Sequence, residues 1–285
     1  MSSIKKPKKL FPKHTTVEEH PTTVCYKLPA VVFKYPFFNE GIQAYRMKGH
    51  AITNETLDAI DIIPNRQIEL KGFIFHTSHC GSTLLVRMLQ TTSHIRVISE
   101  TEAINGLLLS YVLHNLPKET VQKQLKKIIE SYCQPLGDEK HVIFKLTSWN
   151  VFMIDVFLEL YPTTKWMYLD RKTDEVVASL KKSDGGFAQW WQQPTDILKR
   201  YFTGEGYHYT TKEAYLIHMV KLHRKQAQLH TNSHTLHTNY HTLLDDFIKI
   251  IAHFELNLSD QEIENAKKTT AFYSKSMSKT PYSIS

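Results

Sequence analysis

The chain is poor in cysteine: only Cys25, Cys80 and Cys133 occur in 285 residues, and no two of them form a Cys-x-x-Cys pair. That excludes a disulfide framework and a zinc knuckle, and it favours a reducing, cytoplasmic setting. No apolar run approaches the ~18 residues that a membrane-crossing helix needs, so the sequence reads as soluble, with no membrane partner. The N-terminus from Met1 to His14 is basic but has no apolar segment behind it, which excludes a secretory signal. Residues 1–20 are expected to be a basic, disordered arm. No internal repeat is present. Excess positive charge is also missing from the body of the chain. The formal net charge is +7, but residues 1–14 carry five lysines and no acid, and residues 266–285 carry four lysines and no acid. The remainder is slightly acidic, which argues against a duplex-binding surface and for no nucleic-acid partner.

What is present is an alternation of short apolar runs and longer amphipathic ones. At 285 residues the chain can bury a full core, and residues 21–285 are read as a single α/β domain. Strands are expected at 72–76, 95–99, 141–146, 165–169 and 235–239. Helices are expected at 102–114, 118–132, 150–161, from Thr173, at 211–229, at 241–254 and at 259–269. This order implies a central parallel sheet with helices on both faces, and ligands at the carboxyl ends of its strands. Residues 15–70 are less periodic. There, Val31–Tyr35 and Ile68–Leu70 read as strand fragments and Thr53–Asp61 as a short helix. Between 187 and 209 the chain is rich in aromatics, including Trp190, Trp191, Tyr201 and Phe202. They are read as the packing of a helical subdomain, with a lid or an acceptor pocket as the other possibility.

The organising stretch runs from Gly72 to Leu89: an apolar strand, the polar turn Thr77–Thr83, then a helix whose apolar repeat starts at Leu84. Free amides at a helix N-terminus, two hydroxyls and a glycine that lets a ligand approach the backbone make an anion cradle. The turn lacks the first glycine and the lysine of G-x-x-x-x-G-K-[ST]. Two further strand ends carry anion-binding types: Lys145, and Arg171 with Ser179 eight residues later. An arginine fork and a nearby hydroxyl suit a dianionic phosphate. Arg171 paired with Asp174 or Glu175 at the surface is the alternative.

Ser78-His-Cys-Gly-Ser-Thr83 resembles the phosphosulfate-binding loop of the sulfotransferases, which use 3′-phosphoadenosine 5′-phosphosulfate (PAPS), with His79 in place of a lysine or arginine. The run Arg171 to Ser179 is similar to that family's 3′-phosphate motif, Asn239-Tyr-His-Thr-Leu-Leu resembles its Y-E-D-L run, and Phe272–Lys275 its C-terminal basic segment. The segments follow the family's order over about residues 72–280. The bacterial and tyrosylprotein types are nearest in pattern. The resemblance implies a P-loop NTPase-like three-layer fold with a helical, aromatic C-terminal half, and PAPS as co-substrate without a metal. It implies Ser78, His79, Cys80, Gly81, Ser82 and Thr83 around the 5′-phosphosulfate, Arg171 and Ser179 on the 3′-phosphate, and Lys275 closing over the nucleotide. Glu100 would be the base, with Lys145 and His79 stabilising developing charge. The acceptor would be a hydroxyl or amine of a small molecule, peptide or carbohydrate. Glu100 as a helix-capping or first-turn acid is kept as its alternative. For the whole chain the rivals are a P-loop kinase or NTPase of unusual sequence and a catalytically weakened binder of PAPS or its bisphosphate product, PAP. A metal site from His76, His79, Cys80 and His94, and a Cys80 nucleophile, are weighed and set aside.

Overall fold

Strands that are apolar along their whole length are buried on both faces, and this sheet follows that rule. In the computed structural model, which describes residues 9–60, 62, 67–182, 186–191, 196–203 and 209–271, the chain begins with a three-stranded antiparallel sheet. It consists of β1 (Lys9–Thr15), β2 (Thr23–Leu28) and, after helix α1 (Phe38–Met47), β3 (Asn54–Thr56). β4 (Glu69–His76) leads into α2 (Ser82–Leu89), then β5 (Ile95–Ser99), α3 (Glu102–Leu113) and α4 (Lys118–Tyr132). β6 (His141–Lys145), α5 (Ile154–Leu160), β7 (Lys165–Asp170) and α6 (Thr173–Lys181) follow. The last third holds α7 (Asp196–Thr203), α8 (Lys212–Leu229), β8 (Thr235–Asn239), α9 (Phe247–His253) and α10 (Asp260–Lys268).

The second sheet is five-stranded and parallel, in the order β5-β6-β4-β7-β8. Successive side chains of its strands fall into two separate cores. Phe73, Phe75, Phe144, Trp166 and Tyr168 face the larger one, which takes in α3, α4, α5 and α8. Ile74, Ile143, Met167 and Leu169 face the smaller one, filled by α2, α9 and α10. The result is the α/β three-layer arrangement expected from the alternation. From β4 the chain turns toward β5, and from β7 it turns the other way toward β8. A crevice therefore opens between the carboxyl ends of β4 and β7, where such sheets bind their ligands.

Three expectations are corrected. Residues 9–20 are not an arm, because β1 spans Lys9–Thr15. Its Phe11 is fully buried against Phe33 and Tyr132, and the buried guanidinium of Arg96 lies over both Phe11 and Phe33. The lysines on either side of Leu10 and Phe11 hid that strand. Val31–Tyr35 is not a strand but part of a 3₁₀ turn, Ala30–Lys34, opened by Pro29. Asn54–Thr56 is an edge strand rather than a helix, because β2 supplies its hydrogen-bonding partners. The described aromatics of 187–203 pack against helices: Trp190 stacks on Phe202 at 4.7 Å, and His223 of α8 sits between Phe152 and Phe187 at 4.9 and 4.8 Å.

Candidate active site

The loop after β4 is tied to the neighbouring strand by Thr77 N–H, which donates to Leu169 O at 3.1 Å. It then turns sharply. His79 takes φ of 55° and Gly81 φ of 85°, the second affordable only for glycine and the first costing about 1 kcal/mol. Gly81 is the N-cap position of α2. A Cβ built on it would come within 2.5 Å of the Tyr240 ring, so the glycine is also required by close packing. α2 starts at Ser82, two residues before its apolar repeat, and the buried residues Ser82 and Thr83 lie in its first turn. The amides of that turn have no intrahelical acceptor and point out of the helix end. Ser78 is buried too. Cys80 is fully buried, and burial pushes its thiol up to about 12, which removes it as a nucleophile.

β7 ends in register with β8, Asp170 opposite Asn239, and delivers Arg171 to the same edge. Arg171 turns toward the loop: its Nη1 donates to the His79 carbonyl at 3.1 Å and its guanidinium lies 4.3 Å from the Tyr240 ring centroid. Its Nε also pairs with Glu175 at 2.7 Å, one of the two surface partners foreseen as an alternative. Ser179, on the same face of α6 as Glu175, has its hydroxyl 2.6 Å from His79 Nδ1. The loop and the arginine–serine motif thus meet directly, through His79. Arg171 holds the Glu175 carboxylate below its usual range, chiefly by that hydrogen bond.

The other half of the crevice carries Glu100 and Lys145. Register places Ser99 opposite Lys145, so Glu100 follows immediately above the lysine, and its N–H donates to Lys145 O at 2.9 Å. Lys145 Nζ forms an ion pair with the Glu100 carboxylate; the lysine side chain is 1% exposed and the glutamate 27%. Glu100 is not a helix cap. Thr101 caps α3 by accepting from Ile104 N–H, Glu102 occupies the first turn, and Glu100 sits outside the helix at φ of 50°. The ring of Phe37, from the less periodic segment 15–70, lies 5.0 Å from the ammonium. His76 Nε2 is 3.8 Å from the Glu100 carboxylate. Burial first, and the Lys145 charge second, push His76 down to about 3, so it is neutral. Asn105 donates to Thr147 at 2.8 Å and the Asn150 side chain reaches Asn105, which links the turns that bear Glu100 and Lys145.

Lys275 lies outside the described residues. His76, His79, Cys80 and His94 do not form a metal cluster: no group of three or more metal-ligating side chains occurs among the described residues. Two participants carry little signal in the sequence. Tyr240, which covers Gly81 and Arg171, stands within a loosely matching run. Arg224 of α8 stands among Lys221, His223 and Lys225 with nothing local to distinguish it. It donates to Asp170 at 2.6 Å, to Thr173 at 2.6 Å and to Arg171 O at 2.5 Å.

No protein-family model matches the chain, and no curated protein matches it by sequence. Among solved structures it is similar in chain path to sulfotransferase STF9 from Mycobacterium avium, at 10% identity over 75% of this chain and 69% of that one, with a TM-score of 0.47. It is also similar to a sulfotransferase from Alicyclobacillus acidocaldarius, at 12% identity over 71% and 90% of the two chains, TM-score 0.41. Mouse sulfotransferase SULT7A1, solved with PAP, matches at 17% identity over 76% and 67%, TM-score 0.40.

Proposed function

We propose that the chain is a PAPS-dependent sulfotransferase that moves a sulfuryl group to a hydroxyl or amine of a small-molecule, peptide or carbohydrate acceptor. The observation that carries this reading is the convergence of Arg171, Ser179 and the loop: Arg171 bonds the His79 carbonyl and Ser179 bonds the His79 ring. A ligand with two phosphates a ribose apart would find both grips at the carboxyl edge of one sheet. The donor fits the residues present. The 3′-phosphate suits the Arg171 fork and the Ser179 hydroxyl. The 5′-phosphosulfate suits the α2 amides, Ser82 and Thr83, where Gly81 leaves the cradle without a side chain.

Sulfuryl transfer asks the protein for in-line positioning and for charge stabilisation rather than covalent chemistry. Glu100 takes the acceptor's proton, Lys145 stabilises charge on the departing phosphate oxygen, and His79 supports the same group from the loop. Lys145 is held by the Glu100 carboxylate and the Phe37 ring, so it is aimed before the donor arrives. Ser78 and Cys80 serve the loop as buried packing, their backbone rather than their side chains facing a ligand.

A magnesium-dependent kinase or NTPase is disfavoured by one contact: Asp170, the strand-end carboxylate that would have to serve as its magnesium ligand, is held by Arg224. A weakened binder is favoured by another, the engagement of the His79 ring with Ser179. Titration with adenosine 3′,5′-bisphosphate tests the main reading. Binding should be tight, independent of magnesium and stronger than that of ATP, and Arg171→Ala should weaken it by ~2 kcal/mol. Equal affinity for ATP overturns the assignment. With labelled PAPS and an acceptor library, Glu100→Gln should cut turnover by about a hundredfold or more while leaving bisphosphate binding intact. Absence of any wild-type turnover would leave the weakened binder.

A further inference from the structure

The β7–α6 turn is a short, exposed connection, yet it must hold Arg171 against the loop. Three of its groups converge on one side chain from a different helix. Arg224 of α8 donates through Nε to the Asp170 carboxylate at 2.6 Å, through Nη1 to the Thr173 hydroxyl at 2.6 Å, and through Nη2 to the Arg171 carbonyl at 2.5 Å. All three nitrogens of a planar fork are engaged, which fixes both the position and the tilt of the turn. We infer that Arg224 is the positioning residue for the 3′-phosphate subsite, an inference that rests on the function proposed above.

Charge partition gives the clamp its second role. Two arginines and two carboxylates alternate here: Arg224 pairs with Asp170, and Arg171 pairs with Glu175. Because Asp170 is neutralised from the α8 side, its charge does not meet a phosphate bound by its neighbour Arg171. Without Arg224, a half-buried carboxylate at the end of β7 would stand uncompensated beside a dianion, and the turn would lose three of its anchors. Arg224 itself is 27% exposed in its side chain and lines two clefts on the outer side of the turn, of about 750 and 360 Å³. It touches neither the loop nor Ser179, which lie on the opposite face of α6, so its influence on the ligand passes through Arg171 and Asp170.

The inference separates two ligands that share everything except one phosphate. Wild-type protein should bind adenosine 3′,5′-bisphosphate more tightly than adenosine 5′-monophosphate. Arg224→Gln should weaken the bisphosphate at least tenfold while changing the affinity for the monophosphate less than twofold. Arg224→Lys, which keeps the charge but not the fork, should fall between. Adding Asp170→Asn to Arg224→Gln should recover part of the lost affinity by removing the orphaned carboxylate. Circular dichroism melts identify any variant that fails to fold, and Arg224→Lys then carries the test. If either folded variant weakens both ligands equally, or leaves their ratio at the wild-type value, Arg224 has no role in the subsite. If the wild type itself does not distinguish the two ligands, the proposed function fails instead, before Arg224 is in question.

Discussion

His79 Nδ1 lies 2.6 Å from the hydroxyl of Ser179, a hundred residues further along the chain. The contact joins the loop after β4 to α6, so one imidazole belongs at once to both candidate phosphate grips. Its left-handed backbone, at φ of 55°, is held in place by the Arg171 bond to its carbonyl.

Two substitutions follow from that bond. Ser179→Ala removes one proposed donor to the 3′-phosphate and one partner of the ring. Bisphosphate binding measured by calorimetry should weaken by ~1.5 kcal/mol, about tenfold, as for a hydrogen bond to a charged group. His79→Lys exchanges a ring held by Ser179 for a longer, fully charged side chain. Turnover with labelled PAPS should rise. A fall in turnover with binding unchanged would mean that the histidine itself is what the reaction uses.

The sheet and the motif positions were legible in the sequence, because each depends on neighbours in the chain. β8 and α4 are found at their expected bounds, and Glu100, Lys145 and Arg171 stand at strand ends on one edge. Contacts between elements distant in sequence were not legible. β1 is a strand because Phe11 finds Phe33, Tyr132 and Arg96, none of which its own lysine-flanked surroundings announce. Phe37 reaches Lys145, and Arg224 reaches three groups of another turn, only once the helices are packed. The pairing of Glu100 with Lys145 is intermediate. Both residues were named, but the ion pair follows from the β5–β6 register.

The three thiols should be silent in the native protein. Cys25, Cys80 and Cys133 are all buried, and burial pushes each of them up to about 12. At pH 8 the thiolate fraction of such a group is on the order of one in ten thousand. A chromogenic disulfide reagent should therefore titrate no fast-reacting thiol in buffer and three in guanidinium chloride. Rapid reaction of Cys80 in the folded protein would show that the loop opens.

Acid should destabilise the fold well above the carboxylate range, through two buried histidines. His76 is pushed down to about 3 by burial and then by Lys145, and His223 down to about 4 by burial. In the native state both stay neutral where the unfolded chain, near 6.5, takes up protons. The unfolded state therefore binds more protons below pH 6.5, and stability falls as pH drops from there toward about 4. Each histidine contributes a slope of about 1.4 kcal/mol per pH unit. His223 donates from Nδ1 to Met219 O at 2.6 Å, while its Nε2 has no hydrogen-bond partner. His223→Gln should reduce the slope of unfolding free energy against pH between 6.5 and 4.5 by about 1.4 kcal/mol per pH unit. An unchanged slope would mean that His223 keeps its proton uptake in the folded state.

Glu175 competes with the ligand that Arg171 is proposed to hold. Its carboxylate takes Arg171 Nε at 2.7 Å and faces His241 Nε2 at 2.9 Å, so three groups at the mouth of the subsite already share one negative charge. A 3′-phosphate entering there must displace the carboxylate or sit beside it, and like charges at such range repel even through water. Arg171 keeps two other supports, the His79 carbonyl and the Tyr240 ring, and does not need Glu175 to face the loop. Glu175→Gln should thus tighten bisphosphate binding by roughly three- to tenfold at low salt, with a smaller gain at 0.5 M salt, where exposed charges are screened. Calorimetry at two salt concentrations measures this directly. Weaker binding would instead identify Glu175 as the group that orients the Arg171 fork, and would move it from competitor to part of the subsite.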